Sequence, residues 1–195
     1  MIKPFDFYFD FVSPYSFLAH KEIRKIEKKE GFKIKYKPIL VGGLHNLHGI
    51  NAPAFIPAKA KHMIRDCKLI AIKHGVRFKF NSYFPIRSLN LMRGVLVAEE
   101  DNIKSFYIES IFNTIWQDGL NMNDEIIIQK VLKNLNINPK TFGLRSSSSL
   151  IKDSLRKKTN DAYEKGIFGA PTFVVNNKIF WGQDRIEFAL SEANK

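Results

Sequence analysis

The sequence predicts a mixed α/β fold interrupted by a long helical segment. Three observations carry this. The chain opens as strand, helix, strand; its middle is helical throughout; and its end returns to strands with a two-residue hairpin and a closing helix. We expect a single domain over residues 1–195, in which 1–48 and 166–195 form the strand-bearing part and 49–165 an all-helical insertion.

Residues 5–11, FDFYFDF, alternate so that aromatics face one way and the aspartates Asp6 and Asp10 the other, as in a strand. Ser13-Pro14 then opens a helix, because serine is a good N-cap and proline suits the first helical position. Phe17, Leu18, Ile23 and Ile26 give that helix one apolar face, and Gly31 is a plausible stop. In residues 32–40, Phe32, Ile34 and Tyr36 alternate with Lys33, Lys35 and Lys37, a strand with one wet face. A helix joining neighbouring strands implies a right-handed crossover in a parallel pair.

After VGGLHNLHGINAP, read as a loop, helices are expected over residues 55–75, 88–100, 103–117 and 124–135, the last capped by Asn123 or Asp124. Pro139 and the serines at 146–149 mark breaks, and a further helix spans 150–165, ended by Gly166. Strands at 172–175 and 179–181 flank Asn176-Asn177, a good hairpin turn. Gly182-Gln183-Asp184 leads into the last helix, RIEFALSEA.

The composition excludes several functions. With one cysteine, Cys67, neither an internal disulfide nor a cysteine-based metal site can form, which points to a reducing compartment. Residues 1–20 do not read as a signal peptide, and no apolar run approaches a membrane span, so a cytoplasmic protein is expected. The net charge of +12 attracts anions in general, but the lysines are scattered over solvated faces and no nucleic-acid motif accompanies them. His45 and His48 lack the carboxylates or cysteines a metal would need, so no metal is expected. His20, His62 and His74 read as ordinary surface or partly buried residues, Cys67 as a small apolar group on a helix, and Trp116 and Trp181 as packing.

Three segments far apart in sequence carry the chemistry: Ser13-Pro14-Tyr15-Ser16, Gly169-Ala170-Pro171-Thr172 and Gly182-Gln183-Asp184-Arg185. Singly, each has a plain structural reading as a helix cap, a turn entering a strand, or a helix start. In combination, FDFYFDFVSPYSFLA, PAKAKHMIRD and GIFGAPTFVV with FWGQDR resemble the bacterial 2-hydroxychromene-2-carboxylate isomerases. These are close relatives of kappa-class glutathione transferases and more distant relatives of DsbA, and the likeness covers nearly the whole chain.

The resemblance implies a thioredoxin-like fold with an inserted helical subdomain, a homodimer, and a small conjugated or aromatic substrate; the composition and hydropathy add the expectation of no nucleic-acid or membrane partner. It implies glutathione as cofactor, its sulfur beside Ser13, where redox relatives carry the first cysteine of C-x-x-C; here serine replaces both cysteines. Ala170 would present its backbone to the cysteinyl part, Pro171 would be cis, Gln183 and Asp184 would meet the γ-glutamyl end, and Lys59 would lie beside the tripeptide. Apart from the resemblance, Tyr15 and Phe84 read either as lining an acceptor pocket or as plain packing. Two positions depart from the family. Asn51 stands one position closer to the Pro57-Ala58-Lys59 motif than the usual asparagine, and Arg87-Ser88 replaces a common Asn-Thr, which alters the acceptor pocket.

The physical logic is that of a thiolate. An ordinary thiol has a pKa of roughly 8.5, so near neutral pH most of it is in the unreactive form. A helix N-terminus contributes about 0.3–1 kcal/mol toward holding an anion there. A hydroxyl donor contributes about 1.5–3 kcal/mol more. Ser13 supplies both, and the expected chemistry is reversible thiolate addition to a conjugated substrate, an isomerisation. The alternatives are a transferase that conjugates glutathione irreversibly and a non-enzymatic thioredoxin-like binding module.

Overall fold

The computed structural model describes residues 3–195. Strand β1 (Asp6–Phe9) runs into helix α1 (Pro14–Glu30), and β2 (Lys35–Pro38) returns parallel to β1. Helices α2 (Val41–His48), α3 (Pro57–Lys73), α4 (Leu89–Glu100), α5 (Lys104–Trp116), α6 (Glu125–Asn134), α7 (Pro139–Ser146) and α8 (Ser149–Glu164) follow. The chain closes with β3 (Thr172–Val175), β4 (Lys178–Trp181) and α9 (Ile186–Ala193). The sheet order is β2-β1-β3-β4, with β3 antiparallel to both β1 and β4. Asn176 and Asn177, both at positive φ, make the hairpin turn between β3 and β4.

Helix α1 begins as its sequence dictates. The Ser13 side chain accepts from the Ser16 N–H, Pro14 fills the first turn, and Gly31 closes the helix in the left-handed region at φ 70°. Asp124, rather than Asn123, caps α6.

Three differences from the sequence reading, and the burial of Asp10, on which that reading is silent, have physical reasons. Residues 41–48 form α2 instead of a loop. Leu44 is fully buried, and the helix lies against α8. Its first turn takes an acceptor from a distant residue, the Asp10 carboxylate, at 2.8 Å from the Val41 N–H. No local cap advertises such a helix. Pro139 starts α7 instead of breaking the chain, because Asn138 before it accepts from the Lys140 and Thr141 N–H groups.

Asp10 does not face solvent. Both sides of the opening strand are covered, one by Phe5, Phe7, Phe9 and Phe11 and the other by a second cluster around Tyr8. Finally, His20 is buried rather than superficial. Its Nε2 lies 2.7 Å from Glu109 and its Nδ1 2.7 Å from the Tyr36 hydroxyl, so it joins α1 to α5 and β2. Burial pushes its pKa down, so the ring is neutral. Nε2–H donates to Glu109 and Tyr36 donates to Nδ1. The Lys21 ammonium also meets Glu109. These donors hold the Glu109 carboxyl far below the usual carboxylate range.

The principal core joins sheet to helices through aromatic edges and faces. Phe11 meets Phe112 edge-on at 4.8 Å, Phe7 stacks on Phe173 at 5.3 Å, and the buried Trp116 donates to the Phe11 carbonyl at 2.9 Å. This last bond fixes α5 to the segment between β1 and α1, so the helical layer is registered directly on the turn that carries Ser13.

Candidate functional site

Ser13 lies where β1 gives way to α1, and its hydroxyl holds two relations at once. It accepts from the Ser16 N–H at 3.1 Å and donates to the Ala170 carbonyl at 3.0 Å. The second bond spans the chain from the first helix to the segment before β3 and brings two of the three sequence motifs together. The peptide between Ala170 and Pro171 is cis. The Pro171 carbonyl accepts from the Gly182 N–H at 3.0 Å, which brings in the third motif. Residues Gln183–Arg185 form a 3-10 turn ahead of α9 and pack against α1.

Ser13 and Ala170 open onto a cleft of about 2200 Å³. Lys59, Asn51, Tyr15 and Phe84 line it as well. Pro171, Gln183 and Asp184 do not; they form the adjoining turn, where Asp184 pairs with Arg185 at 3.4 Å. Lys59 sits in the first turn of α3, exposed and without an ion-pair partner among the described residues.

The Tyr15 hydroxyl donates to Asp66 at 2.8 Å. Burial and this carboxylate push its phenol well above its ordinary pKa, so Tyr15 stays neutral and contributes a ring to the cleft rather than a free acid. Cys67, next to that pair, is fully buried and burial pushes its thiol up to about 12. No cysteine lines the cleft.

Several residues that shape the site carried no legible signal in the sequence. The Asp10 carboxylate, fully buried, accepts from Val12 at 3.0 Å and from Val41, and its backbone carbonyl accepts from the Ser13 N–H at 3.1 Å. Burial raises its pKa, opposed by those donors and by the Ser88 side chain. One carboxylate thus holds the Ser13 turn, the start of α2 and the approach to α4.

His48 donates from Nε2 to the Ile167 carbonyl at 2.9 Å and packs on Tyr163, steadying the segment that leads to Ala170. Trp181 is half exposed instead of packed in the core. It leans on Phe168 at 4.9 Å and forms a wall of the cleft, and a Cβ at Gly169 would come within 2.7 Å of its indole nitrogen. Val12 and Ser13 lie close to Asp10 in sequence, but its other partners, Val41 and Ser88, and the His48 partners Ile167 and Tyr163 are tens of residues or more away, and no local pattern marks those bonds.

The site is therefore a helix N-terminus with a hydroxyl at its tip, bonded to a non-helical backbone segment beside it, and both open onto the cleft. The Ala170 N–H makes no hydrogen bond among the described residues. With both C-x-x-C positions occupied by serine, Ser13 and Ser16, no dithiol chemistry is possible there.

The DSBA-like thioredoxin domain family matches residues 5–193. The chain belongs to that family. As a DSBA-like protein it has a thioredoxin-like mixed sheet flanked by a helical subdomain, α4–α8. It is 28% identical to the 2-hydroxychromene-2-carboxylate isomerase of Sphingobium xenophagum, over 96% of each chain. It is 26% identical to glutathione S-transferase kappa 1 of Caenorhabditis elegans, over 92% of this chain and 86% of the other. Among solved structures, a 2-hydroxychromene-2-carboxylate isomerase superposes with a TM-score of 0.88 at 25% identity, covering 97% of this chain and 93% of that one. This DSBA-like chain contains no helix, among the described residues, that is long and apolar enough to cross a membrane.

Proposed function

We propose that the protein is a glutathione-dependent isomerase acting on a conjugated, aromatic-derived substrate of the 2-hydroxychromene-2-carboxylate type. Three relatives bearing that isomerase name align over nearly the whole chain. The observation that carries the reading is the Ser13 hydroxyl at the N-terminus of α1, opposite the Ala170 backbone, in a cleft without cysteine.

The residues present suit a thiol tripeptide. The Ala170 N–H is free to pair with an extended peptide backbone, and Lys59 is an unpaired cation for a carboxylate. The turn at Gln183 and Asp184 adjoins Pro171, outside the cleft lining, and would meet the γ-glutamyl end. Bound glutathione would supply a thiolate able to add reversibly to a conjugated acceptor.

What the chain itself does follows from its geometry. The N-terminus of α1 stabilises negative charge near Ser13. The Ser13 hydroxyl can turn from the Ala170 carbonyl to donate to an anion in the cleft, a rotation that costs one neutral hydrogen bond and gains a charge-assisted one. Ser13 thereby orients and holds the charge without acting as the nucleophile. Tyr15, Phe84 and Trp181 provide apolar faces for a flat acceptor. A cytoplasmic setting accords with this reading, because the cytosol keeps glutathione reduced.

The test is to supply glutathione and 2-hydroxychromene-2-carboxylate and follow both. Isomer formation with glutathione recovered in full supports the proposal. Stoichiometric loss of glutathione would indicate a transferase, and an absence of glutathione binding by calorimetry would leave a non-enzymatic binding module.

A further inference from the structure

The cleft is asymmetric in charge. Lys59, Arg87, Lys133 and Lys140 line it, against one carboxylate, Glu125. Under the proposed function, Lys59 is taken up by the cofactor. Of the other cations, Lys133 and Lys140 stand on exposed surfaces of α6 and α7. Arg87 is exposed as well, but its backbone is held differently.

Arg87 occupies the short segment between Pro85 and α4. Its N–H donates to Asn123 Oδ1 at 2.7 Å, while the Nδ2 of the same asparagine donates to the Tyr83 carbonyl at 3.3 Å. One side chain thus clamps the backbone on both sides of Pro85. The flanking residues Ile86 and Ser88 are buried, at 3% and 5% exposure, so residue 87 is turned outward into the cleft. The neighbouring Ser88 side chain lies against Asp10, whose carboxylate also holds the Val12 N–H beside Ser13. The position of Arg87 relative to Ser13 is therefore set through buried groups. Its guanidinium has no ion-pair or hydrogen-bond partner among the described residues.

We propose that Arg87 is a specificity-determining residue that reads an anionic group, a carboxylate, on the acceptor substrate. This rests on the proposed function for what lies opposite, and it deepens that reading by assigning the recognition of charge to one side chain. A guanidinium fork matches a carboxylate bidentately, which fixes direction as well as charge. A flat acceptor anchored at Arg87 and laid along Phe84 presents its conjugated system toward Ser13.

The test uses two unreactive probes of one shape, 1-naphthoate and 1-naphthamide, titrated by calorimetry with and without glutathione. Wild-type protein is expected to prefer the carboxylate by about tenfold. Arg87→Gln should bind the two equally while keeping its affinity for the amide, and Arg87→Lys should recover part of the preference. Equal or undetectable binding of both probes by the wild type, or a preference that survives Arg87→Gln, overturns the assignment. Glutathione titrated alone separates the two readings. Its failure to bind counts against the glutathione-dependent function, whereas loss of carboxylate discrimination in the wild type counts against Arg87.

Discussion

The two walls of the cleft are built by opposite means. The wall formed by the start of α1 and the approach to β3 is polar, and its contacts come within hydrogen-bond length of one another. Ser13 meets Ala170 and Ser16, Asp10 meets Val12 and Val41, and His48 meets Ile167. The opposite wall, from Phe84 through α4, α6 and α7, mixes apolar residues with the cations Arg87, Lys133 and Lys140, and the layer behind it is held mainly by packing. Phe80 meets Phe84 edge-on, Tyr107 tilts against Phe142, and Met122 is buried. A hydrogen bond tolerates little displacement, whereas an apolar face accepts ligands of varied outline. The first wall is suited to an invariant reactant and the second to whatever that reactant meets.

If this division is right, damage to one wall should leave the other's task intact. The largest effect is expected from Ser13→Ala, which should lower turnover with glutathione supplied by about a hundredfold or more, the scale of losing a donor to a developing charge. The same change removes an N-cap, costing about 1 kcal/mol. Ser148→Ala is the control. Its side chain caps α8 and does not line the cleft, and its loss should cost similar stability with turnover unchanged. Equal activity losses in the two variants would reduce Ser13 to a cap.

Next comes Gly94→Ala in α4. A Cβ there would lie 2.2 Å from the Tyr107 hydroxyl and 3.0 Å from Phe142, and Tyr107 could no longer reach the Leu91 carbonyl. Overpacking of this kind costs about 1–3 kcal/mol, a drop of roughly 3–10 °C in melting temperature for a chain of this size. Glutathione affinity should survive it; if calorimetry shows both falling together, the walls are not independent.

Lys59→Gln should raise the glutathione KM about fivefold with kcat unchanged, as expected for loss of a point charge used in binding alone. The smallest effect concerns the seam between the walls, where Glu109 meets His20 and Lys21. Its folded pKa is depressed, so its contribution to stability is complete above the unfolded value of about 4.5 and is lost as pH falls through the folded value. Thermal melts should therefore show Glu109→Gln less stable than wild type near neutrality, with the gap closing below about pH 4.

How much of this was legible in the sequence follows the same division. Local rules placed α1, with its Ser13 cap and Gly31 stop, the alternation around β2, and the Asn176-Asn177 hairpin, because each is decided within a few residues. Family motifs singled out Ser13, Ala170 and Lys59 as one site, and all three line a single cleft. Helix α2 escaped because its glycines argue against a helix and its first turn leans on a carboxylate from another element. The burial of Asp10 was not legible for a related reason. Strand alternation gives the side a residue points to, but whether that side meets water depends on what the rest of the chain lays over it. Phe84 and Tyr15 were anticipated as lining residues, whereas the engagement of Tyr15 with Asp66 needed the packing of α1 on α3.

The isolation of Cys67 has a consequence for durability. Fully buried beside the Tyr15–Asp66 pair, with its thiol pushed up to about 12, it offers an electrophile nothing to capture. Under the proposed function, the sulfur that takes part in the reaction arrives on a diffusible carrier. An alkylated or oxidised carrier can then be exchanged for a fresh one, and the polypeptide outlasts the reagents it handles.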